Sequence, residues 1–333
     1  MDRAAGMIFL THPTEAREKY YGAKALAGLE ALAPVRRNPH DRPLSTDELV
    51  EAAAGCRVIV SDRQTPGEAA IFERLPNLAA FVRCAVDIRN VDVAAASRRG
   101  VLVTHASAGF IASVAELAVG FMIDLGRHVT DAALTSRTGK MPSARMGRQL
   151  KGSTLGIIGY GAIGRYLADL GVAFGMRVLV SDPHAEVTNP GLIQVNLSRL
   201  LEQADFVVCL AVATAETENL MDADAFARMQ PSAFFVNLSR GNLVDEGALR
   251  RALDEGRIAG AALDVGRAPD QMPSPDLAAR SDVIATPHTG GLTPPAIEHQ
   301  ALETVRQVEV ILRGEIPEGA ANAAHALRLR GAT

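Results

Sequence analysis

The chain has 333 residues, 48% hydrophobic and 22% charged, with a formal net charge of −4 at pH 7. That length accommodates two separately cored domains, and the balance is ordinary for a globular protein. It offers no basic field for nucleic acid, and no apolar run approaches a membrane span.

Strands and helices alternate from end to end, which predicts an α/β protein with parallel sheets. The apolar stretch within Met1–Leu10 is too short for a signal peptide and runs straight into a strand. Strands are predicted at Met7–Leu10, Arg57–Ser61, Ala79–Val82 and Val101–Thr104. Helical patterns cover Thr14–Leu32, Ser45–Ala54, Ala69–Leu75 and Val91–Arg98, and Ser45 with Glu48 forms a capping-box pattern. A helix over Ser113–Leu125 is apolar on most faces and should be buried at a domain or subunit boundary. Residues 135–153, polar, basic and rich in Gly and Ser, read as a connecting segment. Further strands follow at Leu155–Ile158, Met176–Val180, Phe206–Leu210, Ala233–Asn237, Gly260–Val265 and Val283–Ala285. A last helix begins after Pro294–Pro295, runs to about Leu312 and returns to the first third of the chain. Ala320–Thr333 reads as a mobile or partner-dependent tail. Cys56, Cys84 and Cys209 are odd in number, far apart and set in or beside apolar runs. They read as buried thiols of a cytoplasmic protein, with neither a disulfide framework nor a metal site.

Residues 155–183 carry the first functional pattern. The strand Leu155–Ile158 runs into Gly159-Tyr160-Gly161-Ala162-Ile163-Gly164, and a helix follows over Arg165–Phe174. Gly159 permits the tight turn, Gly161 lets a pyrophosphate approach the backbone, and Gly164 lets helix and strand pack closely. The helix N-terminus offers free N–H groups to the phosphates. Asp182 ends the next strand, where a carboxylate accepts both ribose hydroxyls and repels the extra phosphate of NADP. The cofactor read from these residues is NAD. Two domains joined by two crossings would leave a cleft for ligands.

Three later segments carry chemistry. Arg240, in Asn237-Leu238-Ser239-Arg240-Gly241, follows a strand and can hold a carboxylate or 2-oxo group in bidentate fashion. The plainer reading is a surface ion pair with Asp245. Asp264 ends an apolar strand and is placed to bond the nicotinamide amide, or else to cap a following helix. His288, in Thr286-Pro287-His288-Thr289-Gly290-Gly291, sits past the last strand, where hydride chemistry needs a proton donor or acceptor.

Taken together these motifs resemble those of the D-isomer-specific 2-hydroxyacid dehydrogenases, over nearly the whole chain. Ala112–Gly120 resembles the family's helix at the domain border. The resemblance implies two Rossmann-like parallel-sheet domains. A discontinuous, flavodoxin-like substrate domain would take residues 1–105 and 295–333, and an NAD-binding domain residues 106–294. It implies a 2-oxoacid or 2-hydroxyacid substrate, with His288 as acid–base and Arg240 holding the carboxylate and polarising the carbonyl. Ala162 and Ile163 would lie over the pyrophosphate, and Val212 and Thr217 would line the adenine side. Leu238, Ser239, Arg240, Asp264, His288, Gly290 and Gly291 would complete the cofactor site. A homodimer through the cofactor domain is implied as well.

Two positions depart from the family pattern. A Glu that partners the catalytic His is usual five residues after the Asp of the Asp-Val motif. Here that residue is Pro269, and Asp270 is the nearest carboxylate that a shift of the loop would bring to His288. The loop that usually reads Gly-x-Gly is Ala85-Val86-Asp87. Its amides would bind the substrate carboxylate, but Asp87 would repel an anion unless it points away or pairs with Arg89 or a cationic group of the ligand; the alternative is a substrate that is not a simple small 2-oxoacid. The rival reading is an NAD(H)-binding regulatory or scaffold protein with little turnover.

Overall fold

The computed structural model describes residues 6–330. It divides into two compact units, 1–109 with 293–333 and 110–292. The two termini, 1–5 and 331–333, lie outside the described residues, and with them the first residues of the Met1–Leu10 stretch and the end of the predicted tail.

The first unit is built on a five-stranded sheet in the order β2-β1-β3-β4-β5, every pair parallel. Its strands are β1 (Ile8–Leu10), β2 (Val35–Arg37), β3 (Val58–Ser61), β4 (Ala80–Arg83) and β5 (Leu102–His105). This is the flavodoxin-like order, with the strand sequence reversing beside β1. β1, β3 and β4 are buried throughout, because helices cover both faces. Phe9, Ile59 and Phe81 pack on one face and Leu10, Val60 and Val82 on the other. The helix Pro294–Leu312 closes the second face, against the helix Ala23–Leu32.

The second unit has a seven-stranded parallel sheet in the order β12-β11-β10-β9-β6-β7-β8. The strands are β6 (Thr154–Ile158), β7 (Arg177–Ser181), β8 (Leu192–Gln194), β9 (Phe206–Cys209), β10 (Phe234–Asn237), β11 (Gly260–Leu263) and β12 (Val283–Ala285). The order reverses between β6 and β9, which makes their carboxyl ends the topological switch point. The helices Ile111–Arg127 and Ala162–Ala173 pack on each other over one face of this sheet.

Four expectations need correction. Thr14–Leu32 is two helices, Thr14–Tyr20 and Ala23–Leu32, because Gly22 takes a left-handed φ of 83°. That turn sends Tyr21 into the core, where its hydroxyl meets Thr304 Oγ1 at 2.9 Å. The helix of the glycine motif starts at Ala162 rather than Arg165, so Gly164 lies in its first turn. The connecting segment is partly helical, since a helix over Val129–Arg137 runs into it. The tail is docked as far as it is described. Ala321 N–H donates to Val103 O at 2.8 Å, and the Asn322 side chain bonds both the N–H of Val103 and the carbonyl of Val101. These contacts occupy edge groups of β5 and its approach, which gives the segment a fixed place.

Candidate active site

In the second unit, the predicted cofactor and catalytic residues follow the carboxyl ends of six neighbouring strands. Gly159 follows β6, Asp182 follows β7, Val212 and Thr217 follow β9, Leu238–Arg240 follow β10, Asp264 follows β11 and His288 follows β12. Parallel strands place all these loops along one edge.

The glycine turn has three separate requirements. Gly159 has φ 98°, and a Cβ there would lie 2.7 Å from the backbone of Ala211 on the neighbouring loop. A Cβ on Gly164 would lie 2.2 Å from Gly159 O, so helix and turn could not both keep their places. A Cβ on Gly161 would meet nothing within 4 Å. Gly161 therefore has no packing reason to be glycine, and its open side fits a group that approaches the backbone. Asp182 fixes the same turn: its carboxylate accepts the N–H of Tyr160 at 2.7 Å and of His184 at 2.8 Å. Arg165 lies over the Tyr160 ring at 4.7 Å and holds Tyr160 O. Open backbone at Gly161, first-turn helix amides and a carboxylate on the next strand fit a dinucleotide.

After β9, the Thr217 hydroxyl closes its own loop. It donates to Val212 O at 2.7 Å and accepts the N–H of Thr214 at 2.8 Å, while Val212 stays exposed. After β10, Asn237 folds the turn that carries Arg240, through Ser239 N–H and Arg240 O. Ser239 Oγ donates to Ala211 O and ties this turn to the glycine side. Asp245, the plainer partner for Arg240, caps the helix Glu246–Asp254 through Ala248 N–H at 3.0 Å. The Arg240 guanidinium is half-buried and bonds Ser239 O at 2.7 Å.

Asp264 is 3% exposed, and its carboxylate organises the His288 loop. Oδ1 accepts from Thr286 Oγ1 at 2.6 Å and from Thr289 N–H at 2.7 Å, and Oδ2 accepts from Gly290 N–H at 2.8 Å. It caps no helix. Gly290 is needed for this approach, since a Cβ there would lie 2.9 Å from Oδ2. A Cβ on Gly291 would sit 3.4 Å from Phe110, an ordinary contact. His288 has φ 54°, and its Nδ1 lies 3.1 Å from the main-chain oxygen of Asp270. The sequence pointed to the Asp270 side chain; the contact observed uses the backbone.

In the first unit, Ala85, Val86 and Asp87 lie in the loop after β4. Asp87 is clasped by Arg89, through the Arg89 N–H at 2.9 Å and through Nε and a terminal nitrogen at 3.0 and 2.6 Å. Arg83, the last residue of β4, is 0% exposed. It donates to Asp62 O, to Thr65 O at 2.9 Å and to the Asn90 side chain. It thereby joins the loops after β3 and β4. Burial pushes the neighbouring Cys84 thiol up to about 12, so it stays protonated. Reading the sequence did not single out Arg83, Asn90, Arg267 or Gln271. Each is one polar residue in a loop, and only folded neighbours reveal its task. Among the described residues, no group of His, Cys, Asp and Glu could hold a metal, and no helix is long and apolar enough to cross a membrane.

Residues 119–290 match the family described as D-isomer specific 2-hydroxyacid dehydrogenase, NAD binding domain. D-3-phosphoglycerate dehydrogenase of Methanocaldococcus jannaschii is 33% identical over 285 residues, 84% of this chain and 54% of that protein. The chain thus spans about half the length of that relative. Hydroxypyruvate reductase of Thermotoga maritima is 32% identical over 80% of this chain and 88% of its own. The crystal structure of D-lactate dehydrogenase with NAD+ from Lactobacillus jensenii superposes with a TM-score of 0.82. It covers 95% of this chain and 99% of that one at 24% identity, which speaks to the shared fold.

Proposed function

The chain belongs to the D-isomer-specific 2-hydroxyacid dehydrogenase family and carries its NAD binding domain, and on that footing we propose that it interconverts a D-2-hydroxyacid and its 2-oxoacid. The observation that carries the reading is the anchoring of His288. Asp264, buried at the end of β11, pins the loop of His288 on the edge that holds the glycine turn and Arg240. NADH, when bound, would supply hydride for C2. The protein's own part is to bind, orient and protonate. Arg240 holds the substrate carboxylate and draws electron density from the carbonyl. His288 gives its proton to the carbonyl oxygen in reduction and takes one from the hydroxyl in oxidation. Asp264 would also receive the nicotinamide amide, and Asp182 would receive the ribose hydroxyls and disfavour NADP. Val212 and Thr217 would border the adenine. In the first unit, the amides of Ala85, Val86 and Asp87 would suit a carboxylate, which the clasp of Asp87 by Arg89 supports by neutralising that side chain.

A homodimer through the second unit is part of the same reading. The helix Val129–Arg137 buries no residue, and Leu134, Met141 and Met146 are 54%, 91% and 97% exposed. Large apolar side chains so placed fit a covering copy of the chain. Three buried, unbonded cysteines suit a reducing cytoplasm.

The test is consumption of NADH against glyoxylate, hydroxypyruvate and pyruvate, with oxidation of 3-phosphoglycerate by NAD as the reverse assay. Turnover of at least one, abolished by His288→Ala, is expected. Tight NADH binding with no turnover of any would favour a regulatory or scaffold role instead.

A further inference from the structure

We propose that the main-chain carbonyl of Asp270, not a side-chain carboxylate, is the group that orients His288, an inference that rests on the acid–base role given to His288 above. A carbonyl oxygen only accepts hydrogen bonds. Its contact with Nδ1 at 3.1 Å therefore requires the proton on Nδ1, which leaves Nε2 as the nitrogen that exchanges a proton with substrate. The tautomer is selected by a dipole that itself carries no proton.

The turn that presents this carbonyl is unusual. Asp270 has φ 57° and ψ 26°, and Gln271 has φ 60°, so two successive residues with side chains adopt the left-handed conformation. Each such residue costs about 1 kcal/mol or more, and persists only where its surroundings over-determine it. Here they do. Gly266 N–H donates to Gln271 O at 2.9 Å, and Ala268 N–H to Met272 O at 3.0 Å. Arg267 anchors the stem through its N–H to Glu246 at 2.9 Å and through Nε to Val244 O at 3.0 Å. Its terminal nitrogen gathers Glu218, Asn219 and the carbonyl of Asn242. Pro269, at the position where the family pattern leads one to expect a carboxylate, starts the turn with a fixed φ. The run Gly266-Arg267-Ala268-Pro269-Asp270-Gln271 thus builds a rigid mount for one carbonyl.

Three measurements test this. Selective 15N-histidine NMR of the intact protein should show His288 protonated on Nδ1 when neutral; the opposite tautomer overturns the proposal. Asp270→Gly removes the carboxylate, keeps the carbonyl and suits φ 57°. Its loss in kcat/KM should be at least about tenfold smaller than that of His288→Ala, and a loss as large as that of His288→Ala overturns the proposal. Gln271→Pro forces φ to negative values and turns the Asp270–Gln271 peptide away. It should lower kcat by about a hundredfold while leaving the NADH Kd near the parent value, and unchanged kcat overturns the proposal. Should His288→Ala itself keep full turnover, the acid–base reading fails, and the tautomer still decides the contact independently.

Discussion

The main-chain N–H of His288 donates to the carbonyl oxygen of Asp264 at 3.0 Å, and the carboxylate of the same aspartate takes the next two N–H groups, from Thr289 and Gly290. One buried side chain therefore fixes the loop that carries the imidazole. Asp264→Ala strands buried donors, each of which costs about 1–3 kcal/mol. We expect Asp264→Ala to lower unfolding stability by about 3 kcal/mol, read from the urea midpoint, and to lower kcat with it. Asp264→Asn keeps one acceptor and should lose less. Equal midpoints for parent and Ala variant would show that the loop does not depend on this carboxylate.

Gly161 and Gly164 separate binding from folding. A methyl group on Gly164 collides with Gly159 O, whereas one on Gly161 meets no protein atom within 4 Å. Gly164→Ala should destabilise the unit by several kcal/mol, on the order of an overpacked core. Gly161→Ala should keep the parent Tm and weaken NADH binding at least about tenfold, measured by fluorescence titration. Unaltered NADH affinity in Gly161→Ala would detach the pyrophosphate from this backbone.

Asp182 bonds two backbone N–H groups, and the proposed function gives it the ribose hydroxyls as well. Asp182→Ser removes the negative charge that repels a 2′-phosphate and keeps a short acceptor. The ratio of kcat/KM for NADH over NADPH should fall at least about tenfold, a change of about 1.4 kcal/mol in discrimination. A ratio that does not move would place the selectivity elsewhere.

Much of this was legible in the sequence because buried parallel strands are short apolar runs. β3, β4, β6 and β9, all buried along their length, stand within one or two residues of their predicted bounds. The strands not foreseen are β2, Val-Arg-Arg, and β8, Leu-Ile-Gln, both at sheet edges and largely exposed. Each is short and mostly polar or exposed, so neither shows the apolar run that marks β12, an edge strand of the same length. The same limit applies at the site. Gly159, Asp182, Arg240 and His288 announce themselves by type and by place after a strand. The Asp270 carbonyl could not, because backbone orientation is set by φ at Asp270 and Gln271 and by the distant grip of Arg267 on Glu218.

Arg83 is buried without exposure and spends its guanidinium on Asp62 O, Thr65 O and Asn90. Burial pushes its pKa down to about 10, against the pull of the Asp62 and Asp87 carboxylates, so it is charged at neutral pH. Arg83→Met fills similar space and leaves two buried carbonyls unpaired. It should cost on the order of 3 kcal/mol and raise KM for the 2-oxoacid more than it lowers kcat. Arg83→Lys keeps the charge but not the fork, and should restore only part of the loss. A KM equal to the parent value in Arg83→Met would show that the loops after β3 and β4 do not shape substrate binding.

His12 gives the first unit a predictable response to acid. It is 2% exposed, its ring centroid lies 4.9 Å from that of Tyr21, and its Nδ1 is buried without a hydrogen-bond partner. Burial pushes its pKa down from 6.5 to about 4; the Asp62 carboxylate opposes this, and the Arg17 and Arg83 guanidinium groups add to it. Above pH 6.5 the ring is neutral in folded and unfolded chains alike, and it contributes no pH dependence. Between 6.5 and about 4 the unfolded chain takes up a proton that the folded chain refuses, so stability falls as pH falls. At about pH 5 the loss is on the order of 2 kcal/mol, at about 1.4 kcal/mol for each pH unit below the unfolded value. His12→Phe keeps a ring against Tyr21 and cannot be protonated. Its urea midpoint should match the parent at neutral pH and exceed it at pH near 5. Parallel losses in both proteins would assign the acid sensitivity to other groups.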